Sequence, residues 1–353
     1  MLAEIRLQNF RSYKNDSFEF DPGVNIIVGP NASGKTNLLE AILVLSQGSS
    51  YRVRDSELVA FAAPWARLDA RMVQGAERTV KIVLEPQPSK SYELEGKVYK
   101  RLTAKHSVPI VLFEPNHLQM FTGGPERRRN YLDDLLEQTD VGYGTIRRQY
   151  KRTLAQRNSL LKQHRTSDIK SQLFPWDVRL SQLAGQIVRA RSDIVSAIQK
   201  QLPALYRDLS RTKTKVAASY GAQFPIDTYE TAMLKKLEAS IEIDKLRGFT
   251  ATGPHREDLI VLFDGHPAQD TASRGETRTL VLALKIIEMK LITKARGATP
   301  LLLLDDVFSE LDGARRRALT EHLKDYQTFI TTTDADIVLK HFTDQCRILA
   351  LSA

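Results

Sequence analysis

Gly29-Pro30-Asn31-Ala32-Ser33-Gly34-Lys35-Thr36 is the stretch on which the interpretation of this sequence rests. It fits the phosphate-loop pattern G-x-x-x-x-G-K-[ST], and it lies between an apolar run, residues 24–28, and residues 35–47, whose apolar positions have helical spacing. Glycines let backbone N–H groups wrap phosphate oxygens, and the following helix presents its positive N-terminal end. All eight residues are therefore predicted to bind nucleotide, with Lys35 between the β- and γ-phosphates as a catalytic residue and Thr36 on Mg²⁺.

A phosphate loop needs a second, acidic element, and Leu301-Leu302-Leu303-Leu304-Asp305-Asp306 supplies one. Four apolar residues predict a buried parallel strand, and ligands of open α/β sheets bind where such strands end. We expect Asp305 to hold the metal and Asp306 to polarise the attacking water as a catalytic residue. The alternative is a strand followed by an ordinary helix cap, since Asp also caps helices.

The spacing of these two elements predicts how the chain is divided. Lys35 and Asp305 are 270 residues apart, yet both must meet one nucleotide. Residues 66–100 alternate polar and apolar positions between turn residues, which predicts an antiparallel sheet, and residues from about 126 to 207 have helical spacing. The layout is typical of an α/β, ABC-type P-loop ATPase head with two lobes, assembled from residues 1–127 and 216–353, with a helical arm inserted at 128–215.

The helical segment is also the basic part of the sequence. The net charge is +9, and residues 141–215 contain 16 Lys and Arg against four Asp and Glu, so the rest of the chain is slightly acidic. Apolar stripes in the segment predict two helices, the second bounded by Pro175 and Pro203. A basic block suits a polyanion such as nucleic acid, because neutralised phosphates release counterions; a solvated basic surface is the alternative.

Composition narrows the class of protein further. The 353 residues contain no run of the roughly 18 apolar residues that a membrane span needs, and the N-terminus alternates like a strand, unlike a secretory signal. A single cysteine, Cys346, excludes an intramolecular disulfide and a cysteine-based zinc cage. We therefore expect a cytoplasmic protein without a membrane partner.

Several other stretches make a family resemblance specific. Residues 5–13 resemble the first strand of SMC and RecF ATPase heads, residues 272–276 the ABC signature, and residues 309–312 the D-loop. Four further stretches resemble the RecF family in particular: Gly124–Arg129, Gln156–Leu161, Thr252–Leu259 and Thr331–Asp334. SMC proteins insert hundreds of coiled-coil residues where this chain has a short segment. The sequence therefore resembles the RecF family over nearly its full length.

The resemblance implies a head-to-tail homodimer that forms around two ATP molecules. Ser273 and Gly275 would then contact the γ-phosphate held by the other subunit, which suits a helix N-terminus, although Ser273 alone is an ordinary helix cap. Arg11 would reach a phosphate, the alternative being a surface arginine after a strand.

Three positions depart from the wider pattern. Vigorous ABC ATPases have glutamate where this chain has Asp306, and many have a histidine where Thr331–Thr333 stand; both are typical of the RecF family and indicate slow hydrolysis. The family usually has an acidic residue after Pro115, where this chain has Asn116-His117.

The function that the resemblance implies is ATP-dependent DNA binding in replication, recombinational repair and the SOS response. An ATP-induced homodimer would bind double-stranded DNA near single-strand gaps, weak DNA-stimulated hydrolysis would release it, and partners of the RecR and RecO type would help to load recombinase. Three alternatives stay open: a small-molecule P-loop phosphotransferase, the ATPase subunit of an ABC transporter, and a DNA-binding protein that does not hydrolyse nucleotide.

Overall fold

The fold comes from a computed structural model that describes residues 1–162, 169–340, 342 and 346–352. The chain forms two compact units. Unit 1 comprises Met1–Leu118 and Glu288–Ala353, and unit 2 comprises Gln119–Ile287. The functional division predicted above, with an arm over 128–215, includes residues 163–168 that lie outside the described part, and it stays a prediction.

The strands follow the chain in this order: β1 (Leu2–Phe10), β2 (Tyr13–Glu19), β3 (Val24–Val28), β4 (Trp65–Met72), β5 (Glu77–Val83), β6 (Ser89–Leu94), β7 (Lys97–Tyr99), β8 (Ile110–Phe113), β9 (Val216–Gly221), β10 (Asp258–Phe263), β11 (His266–Pro267), β12 (Leu301–Asp305), β13 (Thr328–Thr332) and β14 (Cys346–Ala350). The α-helices are α1 (Lys35–Gln47), α2 (Asp55–Leu58), α3 (Pro125–Thr139), α4 (Tyr143–Lys162), α5 (Ile169–Ser210), α6 (Tyr229–Ala239), α7 (Ile241–Arg247), α8 (Ala268–Thr271), α9 (Arg274–Arg296), α10 (Val307–Glu310), α11 (Gly313–Leu323) and α12 (Ala335–Leu339).

Unit 1 contains two sheets. The antiparallel sheet has the order β2-β1-β4-β5-β6-β7, which confirms the sheet predicted over 66–100 and adds the first two strands to it. The parallel sheet has the order β14-β3-β13-β12-β8. Helix α1 is buried from Leu38 to Ser46 and shares one apolar core with both sheets, as expected for a helix that is apolar on nearly every side.

The order of the parallel sheet brings the two ends of the chain together. Strand β13 lies between β3, which leads into the phosphate loop, and β12, which ends at Asp305. Asp305 pairs in register with Thr331, and Thr332 pairs with Val28. The loop and the aspartate therefore lie at the same edge of one sheet.

Unit 2 is mainly helical. Helices α3 to α6 pack around a common apolar core, and the sheet β11-β10-β9 belongs to the same unit. The buried core side chains come mostly from α4, α5 and α6: Leu136, Tyr143, Tyr150, Leu180, Leu183, Ala184, Ile187, Val188, Tyr229, Met233 and Leu237.

The prediction that Pro175 and Pro203 bound the second helix is wrong. Helix α5 extends from Ile169 to Ser210 and contains both prolines. A proline inside a helix costs about 3 kcal/mol, because its ring removes one backbone hydrogen bond and crowds the preceding turn. The stripe from Leu173 to Leu209 remains buried along the helix, and we attribute the continuity of α5 to this burial.

The last strand of the parallel sheet in chain order is β14, which pairs with β3. Strand β14 is an edge strand with partly exposed side chains, so its sequence lacks a clear apolar pattern. Within the described ranges, no helix combines the length and the apolar character that crossing a bilayer requires.

Candidate nucleotide-binding site

The phosphate loop has the backbone that its glycines permit. Gly34 has φ of 97° and precedes α1, a conformation that side chains other than glycine adopt at a cost. A Cβ on Gly34 would lie 2.9 Å from Tyr13 Oη, and one on Gly29 would lie 2.6 Å from the carbonyl oxygen of Leu351. Tyr13 Oη also donates a hydrogen bond to the carbonyl of Gly34 at 3.0 Å. Glycine is therefore required at both positions by space, and at position 34 by conformation as well.

Lys35 lies at the start of α1, and its ammonium is held within the loop. Lys35 Nζ donates to the carbonyls of Gly29 and Pro30, each at 2.8 Å. The lysine ammonium has three N–H donors on a flexible side chain, so it can replace its hydrogen bonds to these carbonyls with hydrogen bonds to phosphate oxygens at the same helix N-terminus. The position suits the predicted contact with the β- and γ-phosphates.

Three hydroxyl groups orient Asp305. Thr36 Oγ1 donates to Asp305 Oδ1 at 3.0 Å, and Thr331 Oγ1 donates to the same oxygen at 2.8 Å. Tyr51 Oη donates to Asp305 Oδ2 at 3.3 Å. Asp305 is buried, so these donors satisfy a carboxylate that water reaches poorly. A threonine hydroxyl beside a carboxylate presents the oxygen ligands that Mg²⁺ prefers.

Asp306 has a left-handed backbone, with φ of 53°, which directs the chain out of β12 into α10. Its N–H donates to Thr331 Oγ1 at 2.9 Å, and its carboxylate accepts from Ser309 Oγ at 3.2 Å. Burial raises the pKa of Asp306, the neighbouring Asp305 raises it further, and the Ser309 hydrogen bond lowers it. A carboxylate that is less well solvated and next to a second one is a suitable proton acceptor for a water molecule.

These residues surround a cleft of about 270 Å³. Of the residues predicted from sequence, the lining includes Asn31, Ala32, Gly34, Lys35, Thr36, Asp305 and Asp306. Gly29, Pro30 and Ser33 complete the same loop without lining the cleft. The structure thus brings the predicted loop and both predicted carboxylates together.

Arg11 has a different set of contacts. Its Nε pairs with the buried carboxylate of Glu40 at 2.7 Å, and its Nη1 donates to the carbonyl of Glu57 at 3.2 Å. The structure therefore places Arg11 in an ion pair with α1, outside the lining of the cleft. Its assignment to a phosphate stays a prediction.

Ser273 and Gly275 lie in unit 2, at the start of α9. Glu276 N donates to Ser273 Oγ at 3.2 Å, and Ser273 N donates to Glu276 Oε2 at 2.9 Å, which is a reciprocal capping box. Ser273 is exposed. Its predicted contact with a nucleotide on another subunit remains open.

Sequence reasoning assigned no role in the site to five residues that line the cleft or touch its carboxylate: Asn37, Tyr51, Arg52, Thr331 and Thr333. Thr331 lies at the end of the strand between β3 and β12, and local sequence does not specify that strand order. For Tyr51 and Arg52, which follow α1 in an irregular stretch, we find no signal in the sequence.

One family model and several known proteins match nearly the whole chain. The family model of the RecF/RecN/SMC N-terminal domain matches residues 1–350. The DNA replication and repair protein RecF of Heliobacterium modesticaldum is 36% identical over 342 residues, covering 94% of this chain and 92% of that protein. RecF of Acaryochloris marina is 34% identical over 374 residues, covering 100% and 98%.

Solved structures with a similar fold also match nearly the whole chain. The recombination mediator protein RecF in the RecFOR pathway, in a structure titled RecF-ATPrS, matches with a TM-score of 0.87 and 32% identity, covering 96% of this chain and 94% of that one. The structure titled RecF-ATP matches with a TM-score of 0.84 and 31% identity, covering 94% and 92%. An Smc head bound to a domain of ScpA has a TM-score of 0.54 and 17% identity, covering 96% and 92%, and it supports the fold alone. The predicted ABC-type ATPase head fold is confirmed.

Proposed function

The chain belongs to the RecF family of DNA replication and repair proteins, and on that premise we propose that it is an ATP-driven switch for binding double-stranded DNA at sites of recombinational repair. The observation that carries the proposal is the convergence of residues 29–36 with Asp305 and Asp306 around one cleft. A phosphate loop and two carboxylates at one sheet edge are what a nucleoside triphosphate and its metal require.

Each residue of the cleft has a role in this proposal. The backbone of residues 29–36 and the ammonium of Lys35 bind the phosphates of ATP. Thr36 and Asp305, whose oxygens are 3.0 Å apart, would hold Mg²⁺, which neutralises charge developing on the transferred phosphoryl group. Asp306 accepts a proton from the attacking water. Arg11 would contact a phosphate.

We further propose that ATP joins two copies of the chain head to tail. Ser273 and Gly275 of each copy would contact the γ-phosphate bound by the other. The closed dimer is favoured only to the extent that ATP binds it more tightly than the separate subunits. Hydrolysis then opens the dimer, and a slow reaction suits a switch.

The DNA partner is supported by the basic segment 141–215. Lys and Arg contacts with phosphates give binding with little sequence preference and a strong dependence on salt. Double-stranded or gapped DNA is the proposed substrate, and RecO- and RecR-type proteins are the proposed partners, in line with the RecFOR pathway named for the solved relatives.

The variant Lys35→Met tests the proposal. We expect the wild type to bind a fluorescent duplex more tightly with ATP than without it, and the variant to bind equally weakly under both conditions. Lys14→Met, which changes an exposed lysine of β2, is the matched control and should respond to ATP as the wild type does. Full, ATP-independent binding by Lys35→Met would contradict the proposal.

A further inference from the structure

Two stretches that resemble the RecF family, Gly124–Arg129 and Thr252–Leu259, meet at a second cleft, which lies within unit 2. This arm cleft has a volume of about 250 Å³ and is lined by residues of α3, α4 and α5 and by the loop that precedes β10. The nucleotide site uses neither stretch. Their convergence on one concave surface indicates a binding site of its own.

Two cations face the arm cleft without a carboxylate partner. Arg129 donates from Nη1 to the carbonyl of Glu257 at 3.0 Å and forms no ion pair within the described residues. Burial lowers the pKa of Arg129, and the nearby Arg191 lowers it further, while Asp258 and Glu126 only partly offset these effects. Lys151 is exposed on α4, and its ammonium group has no hydrogen-bond or ion-pair partner in the described part of the chain.

The other charges of the arm cleft are largely balanced among themselves. Asp133 is buried and pairs with Arg191 at 2.8 Å and with Arg147 at 3.0 Å. Its charge is therefore not available to Arg129 or Lys151. Glu126 contributes one exposed carboxylate at the rim.

His255 adds shape and no charge. Its Nε2 donates to the carbonyl of Thr250 at 3.0 Å, and its Nδ1 is 2.7 Å from Tyr150 Oη. Burial lowers the pKa of His255 to about 4, so the ring is neutral at physiological pH. Beside it, Leu154, Ile187 and Pro254 give the cleft an apolar part.

We propose that the arm cleft binds one nucleotide unit of the DNA backbone, with Arg129 and Lys151 on the phosphate and the deoxyribose against Leu154, Ile187 and Pro254. This inference rests on the proposed DNA binding and gives it a location. Paired cations over an apolar surface match a phosphodiester, which carries one negative charge on a largely apolar sugar chain. Because Arg129 and Lys151 meet the same phosphate, their contributions to salt dependence overlap.

The test measures the Kd for duplex DNA in the presence of ATP at several salt concentrations. We expect Arg129→Gln and Lys151→Gln each to raise the Kd roughly tenfold, as for loss of a charge-assisted contact. The double variant should lower the slope of log Kd against log salt by about 0.9, the value for one phosphate. Lys235→Gln, which changes an exposed lysine of α6 outside the cleft and outside the basic segment 141–215, should leave the slope unchanged.

A slope that stays at the wild-type value in the double variant would overturn the inference, and so would an equal loss in Lys235→Gln. Melting temperatures show whether each variant is folded. If the Arg129 variants unfold because they lose the contact to Glu257, the Kd of Lys151→Gln tests the inference, and a Kd equal to that of the wild type would overturn it. Titration of the DNA-free protein with inorganic phosphate separates the two sources of the anion. Phosphate binding that needs Arg129 and Lys151, together with unchanged DNA affinity, would show a small-anion site and overturn the DNA assignment.

The same measurements separate this inference from the proposed function. If the wild type binds DNA no more tightly with ATP than without it, the proposed switch fails. If the wild type responds to ATP and the double variant binds DNA equally well, only the arm-cleft assignment fails.

Discussion

Thr36 Oγ1 and Asp305 Oδ1 are 3.0 Å apart, although the two residues are separated by 269 positions in the chain. The contact depends on the strand order of the parallel sheet, in which β13 lies between β3 and β12. The residues between them include the whole of unit 2.

Thr331→Val should impair hydrolysis more than nucleotide binding. The change removes the donor to Asp305 Oδ1 and the acceptor for Asp306 N, and it leaves buried polar groups unpaired at a cost of about 1–3 kcal/mol. The phosphate loop itself keeps its contacts. We expect a reduced ATPase rate with a near-normal Kd for ATP, measured by phosphate release and by fluorescent-nucleotide binding.

Thr328→Val is the matched control for Thr331→Val. Thr328 is buried in the same strand, and its Oγ1 donates to the carbonyl of Tyr326 at 3.1 Å, away from the cleft. This variant should lower the melting temperature without a specific loss of hydrolysis. Equal ATPase rates for the two variants would show that Thr331 has only a structural role.

The nucleotide site could be predicted from sequence because its chemistry constrains short stretches. Close backbone approach requires glycine at positions 29 and 34, and a buried strand that ends in carboxylates is visible as Leu301–Asp306. The buried helix α1 follows from its apolar spacing. Contacts that depend on strand order, such as Thr331 with Asp305, could not be predicted, because local sequence does not specify which strand lies between two others.

The same reasoning explains the errors in unit 2. Proline predicts a helix end from local cost alone, whereas Pro175 and Pro203 lie in a helix that tertiary burial sustains. Charge counting also overestimated the free basic surface. Arg157 is fully buried between Asp177 and Asp244, and Arg191 is buried against Asp133. These arginines form internal ion pairs and do not belong to a surface that could bind a polyanion.

Asp306→Asn should abolish hydrolysis and preserve ATP binding. The amide fills the same space and can keep the hydrogen bond with Ser309, but it cannot accept a proton from water. We expect ATP to hold the variant on duplex DNA for longer than it holds the wild type, because release in the proposed cycle follows hydrolysis. Dissociation kinetics after dilution into unlabelled duplex measure this. If Asp306→Asn released DNA as fast as the wild type, DNA release would not depend on hydrolysis, and this part of the proposed cycle would be wrong.

His255 should make the stability of the protein sensitive to mild acid. Burial lowers its pKa to about 4, whereas an unfolded histidine titrates near 6.5. Between these values the unfolded chain binds a proton that the folded chain does not, so the free energy of unfolding falls as pH decreases from about 6.5 to about 4. For a partly exposed ring we expect a loss of about 1–3 kcal/mol over this interval.

The pH dependence is measured by denaturant unfolding at a series of pH values. His255→Gln should have a smaller decrease in stability over this interval than the wild type. His266→Gln, which changes an exposed histidine of β11, should retain the wild-type dependence. If the free energy of unfolding of His255→Gln depended on pH as that of the wild type does, groups other than His255 would cause the acid sensitivity.

The role of Ser273 can be separated from its capping of α9 by choosing replacements that also cap helices. Asp and Asn are as effective as Ser at this position, so Ser273→Asp and Ser273→Asn should both keep the capping box with Glu276 and a normal melting temperature. Only Asp adds a negative charge. If Ser273 contacts the γ-phosphate of a second subunit, that charge repels it, and ATP-dependent dimerisation should be lost in Ser273→Asp and retained at least in part in Ser273→Asn. Sedimentation velocity with ATP and duplex DNA distinguishes the outcomes. Wild-type dimerisation of Ser273→Asp would mean that Ser273 is a helix cap and that the two subunits meet elsewhere.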